Sequence, residues 1–277
     1  MVLYLIGLGL SNEKDITIKG LEYIKESEYI YMEYYTSILG VDKNTLEKFY
    51  GKEIILADRE MIENDFDKEI LEKAKNKKVS LLVVGDPLSA TTHMDLYIRC
   101  INENVKVIVV NNASILNSIG VTGLSLYKFG QTVSIPFFTQ KWRPYSFYDK
   151  ICLNYKNDLH TLLLLDIKVK EISEENLAKG KKIYEKPRFM SVNVALEQLL
   201  EASKNCENNE YKNMINEENL CYGVARIGSE DQIIYAGEIR NIIKKDFGKP
   251  LHSVVICGKN LSSIEKEVFE WYKKQSN

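Results

Sequence analysis

The 277-residue chain lacks several things, and each absence narrows its chemistry. Neither sign of charge is in excess. The formal net charge is −2, so no global basic field favours nucleic acid or an anionic membrane, although a local patch can hide in a neutral total. Cysteine is sparse and scattered: Cys100, Cys152, Cys206, Cys221 and Cys257 form no C-x-x-C pair. That pattern argues against a disulfide framework or a zinc site and reads as reduced thiols in a cytoplasmic protein. There are only three histidines, His93, His160 and His252, too few and too separated to argue for a metal cluster. G-x-x-x-x-G-K-[ST], H-E-x-x-H and G-x-S-x-G are all missing, which removes the phosphate loop, the zincin helix and the nucleophile elbow. The opening "MVLYLIGLGLSNEKD" has no basic n-region, no cleavage-like tail and too few apolar residues to span a bilayer, so it reads as a first β-strand.

What is present is an ordinary globular balance, 45% hydrophobic and 27% charged, in a chain long enough for one large domain or two modest ones. Strand-like runs "VLYLI", "EYIYME", "EIILA", "VSLLVVG" and "VKVIVV" alternate with helical segments in the front half. Asp15 is expected to cap the first helix and Asp58 to open a long charged helix ending near Lys78. Strands separated by helices imply right-handed crossovers and a mostly parallel sheet covered on both faces. Beyond about residue 112 the rhythm changes. "TVSIPF", "TLLLLDI", "LCYGVARIG", "QIIYAGEI" and "LHSVVICG" read as strands, and "ARIGSEDQIIYAG" as a hairpin. The expected class is α/β in two domains, 1–112 with a mostly parallel sheet and 113–277 with a mixed one.

Three loops draw attention. "LIGLGLSNEKD" has Gly7 and Gly9 but Asn12 where a dinucleotide fingerprint needs its third glycine, so it suggests a turn that lets backbone approach a ligand. A plain tight turn would explain it equally well. "GDPLSATTH" offers Gly85, a stiffening Pro87, and the hydroxyls of Ser89, Thr91 and Thr92 near a helix start, though Asp86 and Thr92 could simply cap that helix. "NNASILNSIG" adds Asn111, Asn112 and Ser114. All three follow presumed parallel strands, whose carboxyl ends are where open α/β sheets bind ligands, so a small polar ligand held largely by backbone groups is expected there. Each histidine alone reads as a hydrogen-bonded structural residue, and the tyrosine-rich "EYIYMEYYTS" as strand packing.

With these pieces assembled, "MVLYLIGLGLSNEKDITIKGLE", "VVGDPLSATTHMDL", "NNASILNSIGVTGLSLYKFGQTVSIPF", "IYEKPRFMSVNVA" and "FGKPLHSVVICG" resemble the diphthine synthases, in order and over nearly the whole chain. That family belongs with the tetrapyrrole-methylase-like (class III) methyltransferases. The resemblance implies a cofactor cleft between two α/β domains and use of S-adenosylmethionine, yielding S-adenosylhomocysteine, without a Rossmann fingerprint or a metal. It implies successive methylation of the 3-amino-3-carboxypropyl-histidine of translation elongation factor 2, one step of diphthamide biosynthesis. The long C-terminal half fits the eukaryotic branch, which methylates the carboxylate as well as the amine. By position in the family pattern, cofactor contacts fall on Leu10, Asp86, Ser89, Ser114, Ile115, Leu165, Ile227 and His252. A homodimer in the cytoplasm is implied too, with no membrane and no direct nucleic-acid binding.

The chemistry accounts for the missing catalytic motifs. A sulfonium donor has a very good leaving group, an α-amino group with pKa about 8 is partly neutral at cytosolic pH, and a carboxylate needs no base. Orientation can supply about 7 kcal/mol or more of the barrier, so no catalytic acid–base residue is expected. Repeated methylation needs a pocket that tolerates a growing cation, for which Tyr34 and Tyr35 are candidates. Two rivals stay open: a methylase of a small porphyrin precursor, and a binding protein that kept the cofactor fold without turnover.

Overall fold

A computed structural model describes residues 1–171, 180 and 184–276, so Ile183 of the "IYEKPRFMSVNVA" motif lies outside the described residues. Two compact units divide the chain, Met1–Ser118 and Ile119–Asn277.

The first unit is built on strands β1 (Val2–Gly7), β2 (Tyr29–Glu33), β3 (Ile55–Ala57), β4 (Lys78–Val83) and β5 (Lys106–Val110), in the order β3-β2-β4-β1-β5 and parallel throughout. Alternation along β1 feeds two cores. Leu3 and Leu5 pack with Val79, Leu81 and Val83 on one face, while Val2, Tyr4 and Ile6 pack with Leu82 and Val84 on the other. Burial of each such side chain contributes roughly 1.5–3 kcal/mol, which is why "VLYLI" and "VSLLVV" read as continuous apolar runs. Helices α1 (Ile18–Glu26), α2 (Lys43–Tyr50), α3 (Arg59–Glu63), α4 (Glu72–Asn76) and α5 (Met94–Asn102), with a short α6 (Ile115–Ser118), complete this unit.

Two helix readings change. The N-cap of α1 is Thr17, whose hydroxyl accepts the Gly20 amide at 3.0 Å, and Asp15 instead sits in a 3-10 turn, Glu13–Asp15. Asp58 does cap α3, accepting the Met61 amide at 3.0 Å, but no single helix runs on to Lys78. The chain breaks at Asn64 and resumes as a π-turn over Asp67–Leu71 before α4. Ile62, Phe66, Ile70 and Ala74 all stay in the core. A spacing of four drifts off the face of a straight helix, and the break with its π-turn restores the phase.

The second unit holds β6 (Val133–Ile135), β7 (Thr161–Leu165), β10 (Leu220–Ala225), β11 (Ile233–Glu238) and β12 (His252–Ile256) in the order β11-β10-β12-β7-β6. Only β6 and β7 run parallel in this sheet, so it is mixed. The β10–β11 pair is the hairpin expected from "ARIGSEDQIIYAG", and a two-stranded β8 (Ile167–Lys168) and β9 (Arg188–Phe189) stands apart from the main sheet. Helices α7 (Ser146–Lys156), α8 (Val192–Asn205), α9 (Ile239–Ile242) and α10 (Ser263–Gln275) accompany it, with the core around Tyr148, Ile151, Leu163, Leu196, Leu199 and Val254. The class is therefore α/β, a parallel sheet followed by a mixed one. The two units meet in sequence between Ser118 and Ile119, and Asn112 is tied into the first by hydrogen bonds to Gly7, Asp15 and Asp86.

Candidate functional site

In the first unit the three loops after β1, β4 and β5 leave the carboxyl edge of adjacent parallel strands and are tied to one another. Gly9 and Gly85 exchange backbone hydrogen bonds across an antiparallel bridge, Gly9 N to Gly85 O at 3.2 Å and Gly85 N to Gly9 O at 2.7 Å. Both glycines need the left-handed conformation, at φ +76° and +79°. A Cβ on Gly7 would lie 2.6 Å from the Gly85 carbonyl oxygen and 2.8 Å from Asn112 Cβ. At Gly7, therefore, the close backbone approach expected of this turn is an approach to the neighbouring loops.

Asp86 is the hub. One carboxylate oxygen accepts the Leu88 amide at 3.0 Å and the Ser89 hydroxyl at 3.1 Å. The other accepts the Asn111 side-chain amide at 2.9 Å and the Asn112 backbone amide at 3.1 Å. Burial alone would raise its pKa, but the four hydrogen bonds outweigh that and hold it below the ordinary carboxylate range. With its lone pairs so occupied, the Asp86 carboxylate organises the loops and has no acceptor position left over for a ligand. Asp15 plays a parallel part. Its carboxylate accepts the Leu10 and Ser11 amides at 3.2 and 2.7 Å, and its carbonyl receives the Asn112 side-chain amide at 3.0 Å. Leu10 thus keeps its carbonyl and side chain available. Ser114 is buried, with its amide and hydroxyl both directed at the Asn117 side chain (2.7 and 3.4 Å), and Ile115 opens the four-residue α6 beside it. Leu10, Asp86, Ser89, Ser114 and Ile115 therefore belong to one cluster of loops.

In the second unit Leu165 closes β7 and His252 opens β12, with Ser253 opposite Leu164 and Ala225 opposite His252. Ile227 lies two residues past the end of β10, so Leu165, Ile227 and His252 lie toward one edge of the mixed sheet. The His252 ring is spent on structure. Nε2–H donates to the Lys249 carbonyl at 2.9 Å, and Nδ1 accepts the Val192 amide at 3.4 Å. Burial, only partly offset by hydrogen bonding to backbone carbonyls, pulls its pKa below the ordinary value and keeps the ring neutral. Arg226 stands in the left-handed region at φ +51° and clamps the chain before β12. Its guanidinium donates to the Phe247 carbonyl at 2.8 Å, to the Lys249 carbonyl, and to Asp231.

His160 is also structural. Nδ1 accepts the Gly258 amide at 2.9 Å and Nε2–H donates to Glu265 at 3.0 Å, and burial, opposed by Glu265, leaves its pKa lowered. Glu265 further accepts the Ser125 and Ser262 amides at 2.9 and 2.8 Å, fixing the start of α10. Sequence reasoning passed over Asp15 as anything but a cap, Asn112 as a cross-link, and Arg226. The signal for Asn112 was its place two residues past the apolar run of β5; Arg226 gave none. Among the described residues no group of three or more His, Cys, Asp or Glu is placed to hold a metal, and no helix is long and apolar enough to cross a membrane.

The family model described as tetrapyrrole (corrin/porphyrin) methylases matches residues 2–243. A diphthine methyl ester synthase of Schizosaccharomyces pombe is 54% identical over 269 residues, covering 97% of this chain and 93% of its own. The diphthine methyl ester synthase of Homo sapiens is 50% identical over 276 residues, covering 100% and 96%. A crystal structure assigned as a diphthine synthase from Entamoeba histolytica matches with a TM-score of 0.85 at 43% identity, covering 98% of each chain.

Proposed function

Given that the chain belongs to the tetrapyrrole methylase family and is a methyltransferase, we propose that it methylates the 3-amino-3-carboxypropyl-histidine of translation elongation factor 2 successively, giving diphthine methyl ester. The observation that carries this reading is the full-length identity to diphthine methyl ester synthases. S-adenosylmethionine supplies an electrophilic methyl on a sulfonium with a good leaving group. The first unit's loop edge suits such a ligand: it offers backbone carbonyls and the hydroxyl oxygens of Ser89 and Ser114 as acceptors, while the Asp86 carboxylate is already saturated. Leu10, Asp86, Ser89, Ser114 and Ile115 are assigned to the cofactor, and the same reading gives it Leu165, Ile227 and His252 of the second unit.

The chain's own task is then to bind and orient. The acceptor amine needs only a free lone pair, of which a group with pKa about 8 has a useful share near neutrality. Preset loops hold the geometry, and positioning can be worth about 7–11 kcal/mol. No side chain is required to carry the proton, since the amine can lose it to water. The protein works as a cytoplasmic homodimer in this reading.

Titration with S-adenosylmethionine followed by mass spectrometry of elongation factor 2 bearing the intermediate tests the proposal. Mass increments of one methyl each are expected. Binding with no increment would favour a non-catalytic role, and methyl incorporation into uroporphyrinogen would favour a small porphyrin precursor as the substrate.

A further inference from the structure

Beside the loop after β4 lies a buried pair that the cofactor reading does not use. Glu33 ends β2, the neighbour of β4, and its side chain is completely buried; His93 immediately precedes α5 and is equally enclosed. Nδ1 of His93 lies 3.2 Å from the Pro87 carbonyl oxygen. A carbonyl can only accept, so Nδ1 carries a hydrogen. Nε2 then faces Oε2 of Glu33 at 3.5 Å, and neither atom has a hydrogen-bond partner among the described residues. The other oxygen of Glu33 accepts the Thr36 hydroxyl.

An unprotonated Nε2 against an ionised carboxylate would oppose two lone pairs in a site without water. Buried polar atoms left unpaired are costly, and a buried unpaired charge more so. A single proton between them removes both problems, whether it resides on the imidazole or on the carboxyl. We propose that Glu33 and His93 share one proton and act as a positioning unit, holding Pro87, and through it the Gly85–Asp86–Pro87 turn, in the shape that receives the cofactor. This rests on the proposed cofactor role of that turn.

The turn needs such a support because Pro87 has no N–H of its own to anchor it. Asp86 fastens its face toward the β5 loop, with hydrogen bonds from Asn111 and Asn112, and the Pro87 carbonyl fastens the side toward α5, receiving both His93 Nδ1–H and the Thr91 hydroxyl at 2.7 Å. Ionisable groups on the neighbouring segments are accounted for. Tyr35 has a buried, unpartnered hydroxyl, and burial first, then Glu33 and Glu63, push its pKa up, so it stays neutral. Arg59 lies 5.3 Å over the Tyr35 ring and pairs with Glu63 at 3.6 Å; from α5, Asp95 is held by Arg99 at 2.8 Å.

Glu33→Gln separates proton sharing from simple packing. Its amide oxygen can still accept from Thr36, and its NH2 can donate to Nε2 of a neutral His93, so the contact survives without the shared proton. The experiment uses the whole chain at pH 7.5. NMR reads His93 Nε2 (¹⁵N) and the Glu33 carboxyl (¹³C) together, and calorimetry reads S-adenosylmethionine affinity. In the wild type one of the two groups should be protonated, whereas in E33Q Nε2 should be an unprotonated acceptor, with affinity within threefold of wild type. Glu33→Leu, which strands Nε2, should weaken affinity at least tenfold.

A bare Nε2 together with an ionised Glu33 carboxyl in the wild type would overturn the shared proton. E33L binding like the wild type, or E33Q weakened as much as E33L, would overturn the positioning role. If E33L does not fold, the spectra and the E33Q affinity still decide. Failure of the wild type to bind S-adenosylmethionine would instead count against the proposed function, leaving the NMR result to judge the pair by itself.

Discussion

Acid should loosen the second unit through one carboxylate more than through most others. Unfolded, Glu265 titrates near 4.5; folded, its pKa is pulled down to about 2. Burial works against that fall and is outweighed by hydrogen bonds from the Ser125 and Ser262 amides and from His160. A folded pKa below the unfolded one means stability that is fully present above pH 4.5 and lost as pH falls toward 2. At 1.36 kcal/mol per unit, the difference amounts to about 3 kcal/mol near neutrality. His160 acts in the same direction. Its lowered pKa lets the unfolded chain take up a proton first as pH drops below 6.5.

Glu265→Gln removes the titration and leaves an NH2 facing one of the three donors. Urea unfolding, followed through Trp271 in α10, should show the wild type about 3 kcal/mol more stable than E265Q at pH 7. That gap should narrow steadily from pH 4.5 downward. A gap under about 1 kcal/mol at pH 7, no more than an ordinary neutral hydrogen bond, would refute the reasoning. So would a gap that stays constant between pH 5 and pH 3.

Three further outcomes follow from the loops and the sheet edge. Asp86→Asn can turn its oxygen toward Asn111 and Asn112 and its NH2 toward Ser89, leaving mainly the Leu88 amide unpaired; a loss of about 1.5–3 kcal/mol in urea unfolding is expected. Gly9→Ala meets both a φ of +76° and a Cβ 2.5 Å from Asp15 Cβ, so a cost above the ~1–2 kcal/mol of the left-handed backbone should appear as a lowered Tm. His252→Gln should retain methyl transfer at saturating donor, because the ring is neutral and both nitrogens are engaged by backbone. Complete loss of transfer with donor affinity intact, in a single-turnover assay, would contradict a mechanism without an acid–base residue.

The strands β1 and β4 were legible because both their faces are buried: "VLYLI" and "VSLLVV" have no polar side to confuse the reading beyond Ser80. The hairpin was legible from its turn residues, Gly228 to Asp231. Helix boundaries were less so. Asp15 and Thr17 are both good caps two residues apart, and only the loop amides of Leu10 and Ser11 claim the carboxylate of Asp15. The broken helix after Asp58 escaped notice because a spacing of four can be read as one continuous apolar face. For the site, the loops could be found from strand order, but what their side chains do could not. Asp86 reads as a cap or a ligand, and its role as a hub depends on Asn111 and Asn112, which reach it from another strand. His93 lies sixty residues from Glu33 along the chain, so no local pattern could pair them.

The paired glycine bridge has a thermodynamic consequence. Gly9 and Gly85 join the loops after β1 and β4 by an antiparallel bridge just past the end of the parallel ladder, so the two loops share one step. A ligand arriving there meets backbone that has already surrendered its conformational freedom during folding, at roughly 1–2 kcal/mol per residue. Association should then carry little ordering entropy from the protein, and its heat-capacity change should reflect the surfaces that meet at the contact, with no added share from folding of the loops.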